Sequence, residues 1–223
     1  MIDTRSLFQR VYCINLHRRL DRWRRFQTMC RDADWPFAQP RRFIAIDSRR
    51  CAPPAWWRDG AGAWGCYRSH LNIIEQCLND RVRRVLILED DAVLLNAGNQ
   101  SIERFFDALP IGWRRDSMVY LGGQHRFLET DPPEPINELV LQPFNVNRTH
   151  AYSVCGDMLP RLYQFLCDTN DWDGPHHIDH RFGELHQLKE FPVYCPTQWY
   201  FGQRAGYSDI ATQNFDERSW RKT

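Results

Sequence analysis

Residues Val85-Leu86-Ile87-Leu88 run without a break into Glu89-Asp90-Asp91. Four β-branched or leucine side chains in a row read as a strand buried on both faces, and such strands belong to sheets covered by helices on either side. Three consecutive carboxylates at the end of that strand are costly unless water or a cationic group reaches them. In open α/β sheets, ligands bind beyond the carboxyl ends of the strands. The junction therefore restricts the fold class and marks a candidate site.

The remainder of the chain repeats that alternation. Residues 11–16 form a second short apolar run. They are followed over 18–31 by Leu20, Trp23, Gln27 and Cys30 on one helical face. A strand is expected over 43–46, a helix over 64–79, and another helix carrying Ile102, Phe105, Phe106 and Leu109. Further expectations are a strand over 118–121 closed by a turn at Gly122-Gly123, a loop over 131–135 and a strand over 151–154. A helix over 157–167 tolerates Pro160 only in its first turn, and a last helix spans 178–188. Strands alternating with helices predict an α/β fold, with a mostly parallel central sheet flanked by helices. The 223 residues suit one domain over 1–223, without repeats or a linker.

With 43% hydrophobic and 26% charged residues, the composition excludes a disordered or fibrous chain. No apolar run approaches the ~20 residues that cross a bilayer. The start, Met1-Ile2-Asp3-Thr4-Arg5, lacks the apolar region of a secretory signal, so a soluble cytoplasmic protein is expected. The eight scattered cysteines, with no C-x-x-C pair, then read as reduced and mostly buried thiols. Net charge is only +1, yet residues 1–58 hold thirteen arginines against five acids. Such a basic third suits a nucleotide diphosphate or a nucleic-acid surface, with a solvated basic face as the bland alternative.

Four segments carry candidate chemistry. In Glu89-Asp90-Asp91, strand alternation would turn Glu89 and Asp91 to one side, able to grip a hard cation that bridges a diphosphate. A solvated acidic turn is the alternative. Residues 15–23 place Asn15, Arg18 and Arg22 where a strand meets a helix N-terminus, a setting suited to phosphate. Residues 62–70 form a glycine-punctuated entry to a helix, bringing Ser69 and His70 near a ligand or leaving His70 a core histidine. His176-His177-Ile178-Asp179-His180 offers a general base or a metal ligand, and His176 with His180 are spaced for zinc without an obvious third ligand.

In this order, five blocks resemble glycosyltransferase family 25, the lipooligosaccharide and procollagen galactosyltransferase-like family. They are I-N-L-x-R-R-x-D-R at 14–22, F-x-A-x-D at 43–47, G-C-x-x-S-H at 65–70, L-E-D-D at 88–91 and Thr149-His150-Ala151-Tyr152. The resemblance spans about residues 11–200, while Trp64 and the Trp56-Trp57 pair depart from it. It implies a GT-A-like domain that moves a sugar from a nucleotide-sugar donor, a UDP-sugar, to an acceptor hydroxyl with inversion. The acceptor would be a glycan, a small molecule or a modified macromolecule. The resemblance further implies Mn²⁺ or Mg²⁺ held by Glu89, Asp91 and His180. Asn15, Arg18, Arg22, Asp47, Ser69, His70 and Asp90 would line the donor pocket, and Asp179 would serve as catalytic base. Alternatives are transfer to a hydroxylated nucleobase in DNA, a metal-dependent phosphohydrolase or nucleotidyltransferase using the same carboxylates, and a degenerate binding relative.

Overall fold

Side-chain alternation along the central strands decides how the layers form. The structure is a computed structural model, and it describes residues 2–95, 99–170 and 172–217. Strand β1 (Arg10–Asn15) leads to helix α1 (Leu20–Asp32) and strand β2 (Arg41–Ile44). Helix α2 (Ala61–Asn79), strand β3 (Arg84–Glu89), the short β4 (Ala92–Leu94) and helix α3 (Asn99–Ala108) follow. Then come β5 (Asp116–His125), β6 (Glu134–Pro135), β7 (Val140–Gln142) and β8 (Val146–Gly156), and helices α4 (Met158–Cys167) and α5 (Ile178–Gln187). The described chain closes with β9 (Val193–Pro196), β10 (Phe201–Gln203) and a hairpin of β11 (Gly206–Ser208) and β12 (Gln213–Phe215).

The main sheet has the order β2-β1-β3-β8-β5-β9-β7-β6. Strands β2, β1 and β3 are parallel, and β9 is parallel to β5. Strand β8 runs against both of its neighbours, β3 and β5, so the five strands around it share one direction. The expected mostly parallel α/β class is met. Two reversed strands sit inside it, β8 at the centre and β7, which runs against β9 and β6.

Each face of the sheet feeds its own core, as the unbroken apolar runs require. Tyr12, Ile14, Val85 and Ile87 pack with the residues of α2, α4 and α5, including Ile74, Leu162 and Phe182. Val11, Cys13, Leu86 and Leu88 point the other way, into Phe26 of α1 and Ile102, Phe105 and Phe106 of α3. The strand ends are thereby fixed from both sides.

The expected turn at Gly122-Gly123 does not occur, and β5 continues to His125 with register shifts around Gly122. A side chain at Gly122 would strike the Phe201 carbonyl and the His150 ring. Glycine there admits a close neighbour rather than a reversal. The loop expected over 131–135 is likewise partly edge strand, with Glu134–Pro135 paired to β7. All eight cysteines are free thiols, and burial pushes Cys30, Cys77 and Cys155 up to about 12. Among the described residues, no helix is long and apolar enough to cross a membrane.

Candidate functional site

The carboxyl ends of β1 and β3 and the start of the reversed β8 meet at one edge of the sheet, where a cleft of about 320 Å³ opens. Its wall includes Asn15, Arg18, Arg22, Ser69, His70, Glu89, Asp90, Asp91 and Asp179. Segments from both ends of the chain thus share a single site. Asp47 and His180 stand outside the wall.

Asn15 ends β1 with its side chain buried and every polar atom used. Its amide donates to Asp90 (2.5 Å) and to the Arg19 carbonyl (3.0 Å), and its oxygen accepts from Arg42 Nε (2.8 Å). Arg22, on the first turns of α1, reaches Asp90 at 2.5 Å and Asp91 at 2.8 Å with one nitrogen. Burial pushes the Asp90 carboxyl up to about 7 although Arg22 pulls against it, and Asp91 is raised for the same reason. The cost expected of clustered carboxylates is therefore visible, and a guanidinium offsets part of it.

Glu89 belongs to a different constellation. It accepts from Thr149 Oγ1 at 2.7 Å and lies 3.6 Å from His70 Nε2, while His70 Nδ1 is 2.8 Å from the Tyr152 hydroxyl. Burial would raise Glu89, but His70 and Thr149 outweigh it and hold the carboxyl down at about 2. Strand β3 stops at Glu89, and Asp90 and Asp91 lie in the turn that follows. Strand alternation therefore does not carry past Glu89, and Glu89 and Asp91 face different partners.

Among the described residues, no three His, Cys, Asp or Glu side chains converge to hold an ion, and Glu89, Asp91 and His180 are not assembled. A donor-borne Mg²⁺ or Mn²⁺ needs only one or two carboxylates, because substrate phosphates and water complete its shell. Asp91 fits that lesser role, since its Oδ1 is buried and lacks a hydrogen-bond partner among the described residues. The zinc reading fails at His176, which is buried in aromatic rings. Its Nδ1 accepts the Arg58 N–H at 2.8 Å and its Nε2 lies 3.2 Å from the Trp172 carbonyl.

Ser69 acts as a clip in the wall of the cleft. Its hydroxyl donates to the Gly65 carbonyl (2.6 Å) and accepts the Ile46 N–H (2.8 Å), tying α2 to the loop after β2. A side chain at Gly65 would come within 2.7 Å of the Ile46 carbonyl, so the spacing G-C-x-x-S records that close approach. Asp47, next in that loop, takes Arg18 Nε at 2.9 Å. Burial would raise its carboxyl, but the Arg49 N–H and the Arg18 guanidinium hold it below the usual carboxylate range.

Across the cleft, Asp179 lies in the first turn of α5 without being its cap, which is His177. Its two oxygens accept the N–H groups of Arg148 (3.2 Å) and His180 (3.0 Å). Arg148 has a left-handed backbone, φ 77°, a conformation that non-glycine residues adopt rarely and often at functional sites. Arg19 and His177, which lie in segments the sequence marked without being singled out, also line the cleft, and so do Arg148 and Asp209, which escape sequence reasoning. Arg148 directly precedes the Thr149 block, which was a usable signal; Asp209, beyond residue 200, offered none.

The arginines of the basic third that reach the cleft are already paired. Arg18, Arg19 and Arg22 are engaged by Asp47, Asp21, Asp209, Asp90 and Asp91, and Trp35, Trp57, Trp113, Trp172 and Trp199 are buried. The nucleic-acid surface has no support.

Fold and cleft together define an α/β protein with an arginine- and carboxylate-lined ligand site at its strand ends. Residues 58–153 match the model of glycosyltransferase family 25 (LPS biosynthesis protein). The resemblance read from the sequence holds over that region, which is similar to glycosyltransferases of that family. The matched stretch contains Ser69, His70, Glu89, Asp90 and Asp91; the blocks at 14–22 and 43–47 and the Asp179 region lie outside it. No curated protein matches the chain. Among solved structures, a glycosyltransferase involved in the glycosylation of the major capsid of PBCV-1 is similar at 12% identity and TM-score 0.44, covering 84% of this chain and 82% of that one. A197 from STIV is similar at 10% identity and TM-score 0.42, covering 96% and 97%. Mannose-1-phosphate geranyltransferase from Thermus thermophilus is similar at 12% identity and TM-score 0.38, covering 83% and 58%.

Proposed function

We propose that this cleft transfers a sugar from a UDP-sugar to an acceptor hydroxyl with inversion, Asp179 acting as the base. The observation that carries the reading is the meeting of the β1–α1 arginines, the Asp90-Asp91 turn and Asp179 around one cleft. Arg18 and Arg22 would face the donor diphosphate, whose departing charge fixed guanidinium groups stabilise without reorganising. Asp91 would hold a divalent ion arriving with the donor, and that ion would supply Lewis-acid neutralisation of the leaving group. Asp179, held by two backbone N–H groups, keeps a fixed carboxylate to accept the acceptor's hydroxyl proton. Glu89 and His70 would shape the floor between them, and a carboxylate held ionised at about 2 suits a fixed electrostatic role.

The test begins with a thermal-shift panel of nucleotide sugars, with and without Mn²⁺. A true donor stabilises the protein by about 2.7 kcal/mol at 100 Kd. Asp179→Asn should then lower kcat by about 100-fold or more while leaving UDP affinity nearly intact, because a general base acts in the transition state. Near-normal turnover in that variant rejects the assignment.

A further inference from the structure

The last described segment of the chain lies over Arg18 and Arg22, which the proposed reading assigns to the donor, and over Arg19 beside them. Asp209, in the turn between β11 and β12, puts one carboxylate oxygen 2.7 Å from Arg18 Nη1 and the other 2.5 Å from Arg19 Nη1. Arg22 Nη1 lies 4.0 Å away, and the Asp209 side chain is only 11% exposed. The opposite sides of the same guanidinium groups are already committed: Arg18 Nε to Asp47, Arg19 Nε and Nη2 to Asp21, and Arg22 Nη2 to Asp90 and Asp91. Asp209 therefore occupies Nη1 of both Arg18 and Arg19. A phosphate binding these guanidinium groups would compete with that carboxylate for them.

The segment carrying Asp209 is also loosely built into the molecule. Strands β11 and β12 pair with each other and not with the main sheet. Tyr207 and Ile210 are exposed, and Ile210 meets the body through its backbone against Gly62, where a side chain would come within 2.9 Å. A small hairpin whose Tyr207 and Ile210 are exposed and whose Phe215 is only half-buried opens at low cost.

We propose that the β11–β12 hairpin is a gate, held shut by Asp209 in the seat of the donor's diphosphate and opened when a diphosphate takes Arg18 and Arg19 from that carboxylate. The inference rests on the proposed donor seat. A diphosphate carries more charge and more acceptor oxygens than one carboxylate, which gives it the differential affinity that any opening ligand needs. In the closed state the apparent donor affinity is reduced by the fraction of molecules that are open.

Calorimetry with pyrophosphate and with UDP, on the wild type and on Asp209→Asn, tests the gate. The variant keeps the size of the side chain and removes the charge, so it should bind both ligands about tenfold more tightly. Amide exchange across residues 206–215 should accelerate when pyrophosphate is added to the wild type and be fast already in the variant. Unchanged or weaker binding by Asp209→Asn, with normal binding by the wild type, overturns the gate and leaves the donor seat standing. If neither protein binds pyrophosphate or UDP, the donor seat fails and takes the gate with it.

Discussion

Replacing Arg22 with methionine keeps most of the buried stem and removes the positive charge that touches both Asp90 and Asp91 in the arrangement described above. The three side chains are 16%, 9% and 26% exposed, so the pair is largely out of water. Breaking a buried pair by deleting one partner costs more than the pair contributes, because a charge stays behind; here about 3 kcal/mol at neutral pH is expected. The loss should depend on pH in one direction. Burial already pushes Asp90 up to about 7, with Arg22 opposing, and Asp91 is raised as well. A carboxyl raised in the folded state favours the fold below the ordinary carboxylate range, and that contribution is lost as pH rises through about 7. Without Arg22 both carboxyls rise further and hold their protons more tightly, which removes the stranded charge in acid. Urea unfolding at about pH 8 and about pH 5 should therefore show a deficit in Arg22→Met that shrinks by at least about 1.4 kcal/mol at the lower pH. Equal deficits at both pH values would refute the reasoning and reduce Arg22 to a packing residue.

Ser69→Ala should lower stability by about 1–2 kcal/mol, because the half-buried Ile46 N–H loses its acceptor; in a chain of this size that is about 4 °C in Tm, and an unchanged melting curve would contradict the clip. Burial holds the His186 imidazole down to about 3, so its contribution to stability is present above the ordinary imidazole range and is lost as pH falls from about 6.5 toward that value. His186→Asn, which can still accept the Val146 N–H, should flatten the fall in urea midpoint between about pH 7 and about pH 5, and an unaltered slope would argue against it.

Much of the architecture was legible because the long elements follow one dominant pattern. The run 85–88, the helical face of 64–79 and the Pro160 position all match observed elements within a few residues. The short strands β4, β7, β9, β10, β11 and β12 were not legible, since three or four residues carry no periodicity that distinguishes them from loop. Most of the residues singled out from the sequence line the one cleft, yet their partners were not legible. Asn15 and Ser69 have the polar side chains expected near a ligand, but each is consumed in holding the walls together. The failed alternation at Glu89 has a local cause, because the strand ends at Glu89, two residues short of Asp91. Asp209 was invisible because its importance comes from tertiary placement alone.

The reversed strand β8 has a consequence for how the chain reaches its native state. Residues 10–95 contain β1, β2 and β3, but the far edge of β3 finds its partner only in residues 151–155. Until those residues are available, Val85, Leu86, Ile87 and Leu88 present an unpaired apolar edge, the surface most prone to pair with another chain. Because β5 also docks on β8 rather than on β3, neither half of the sheet can close before that strand arrives. Loop-closure entropy is then met before the contacts that offset it, which makes a slow, late-closing sheet the kinetic signature of this topology.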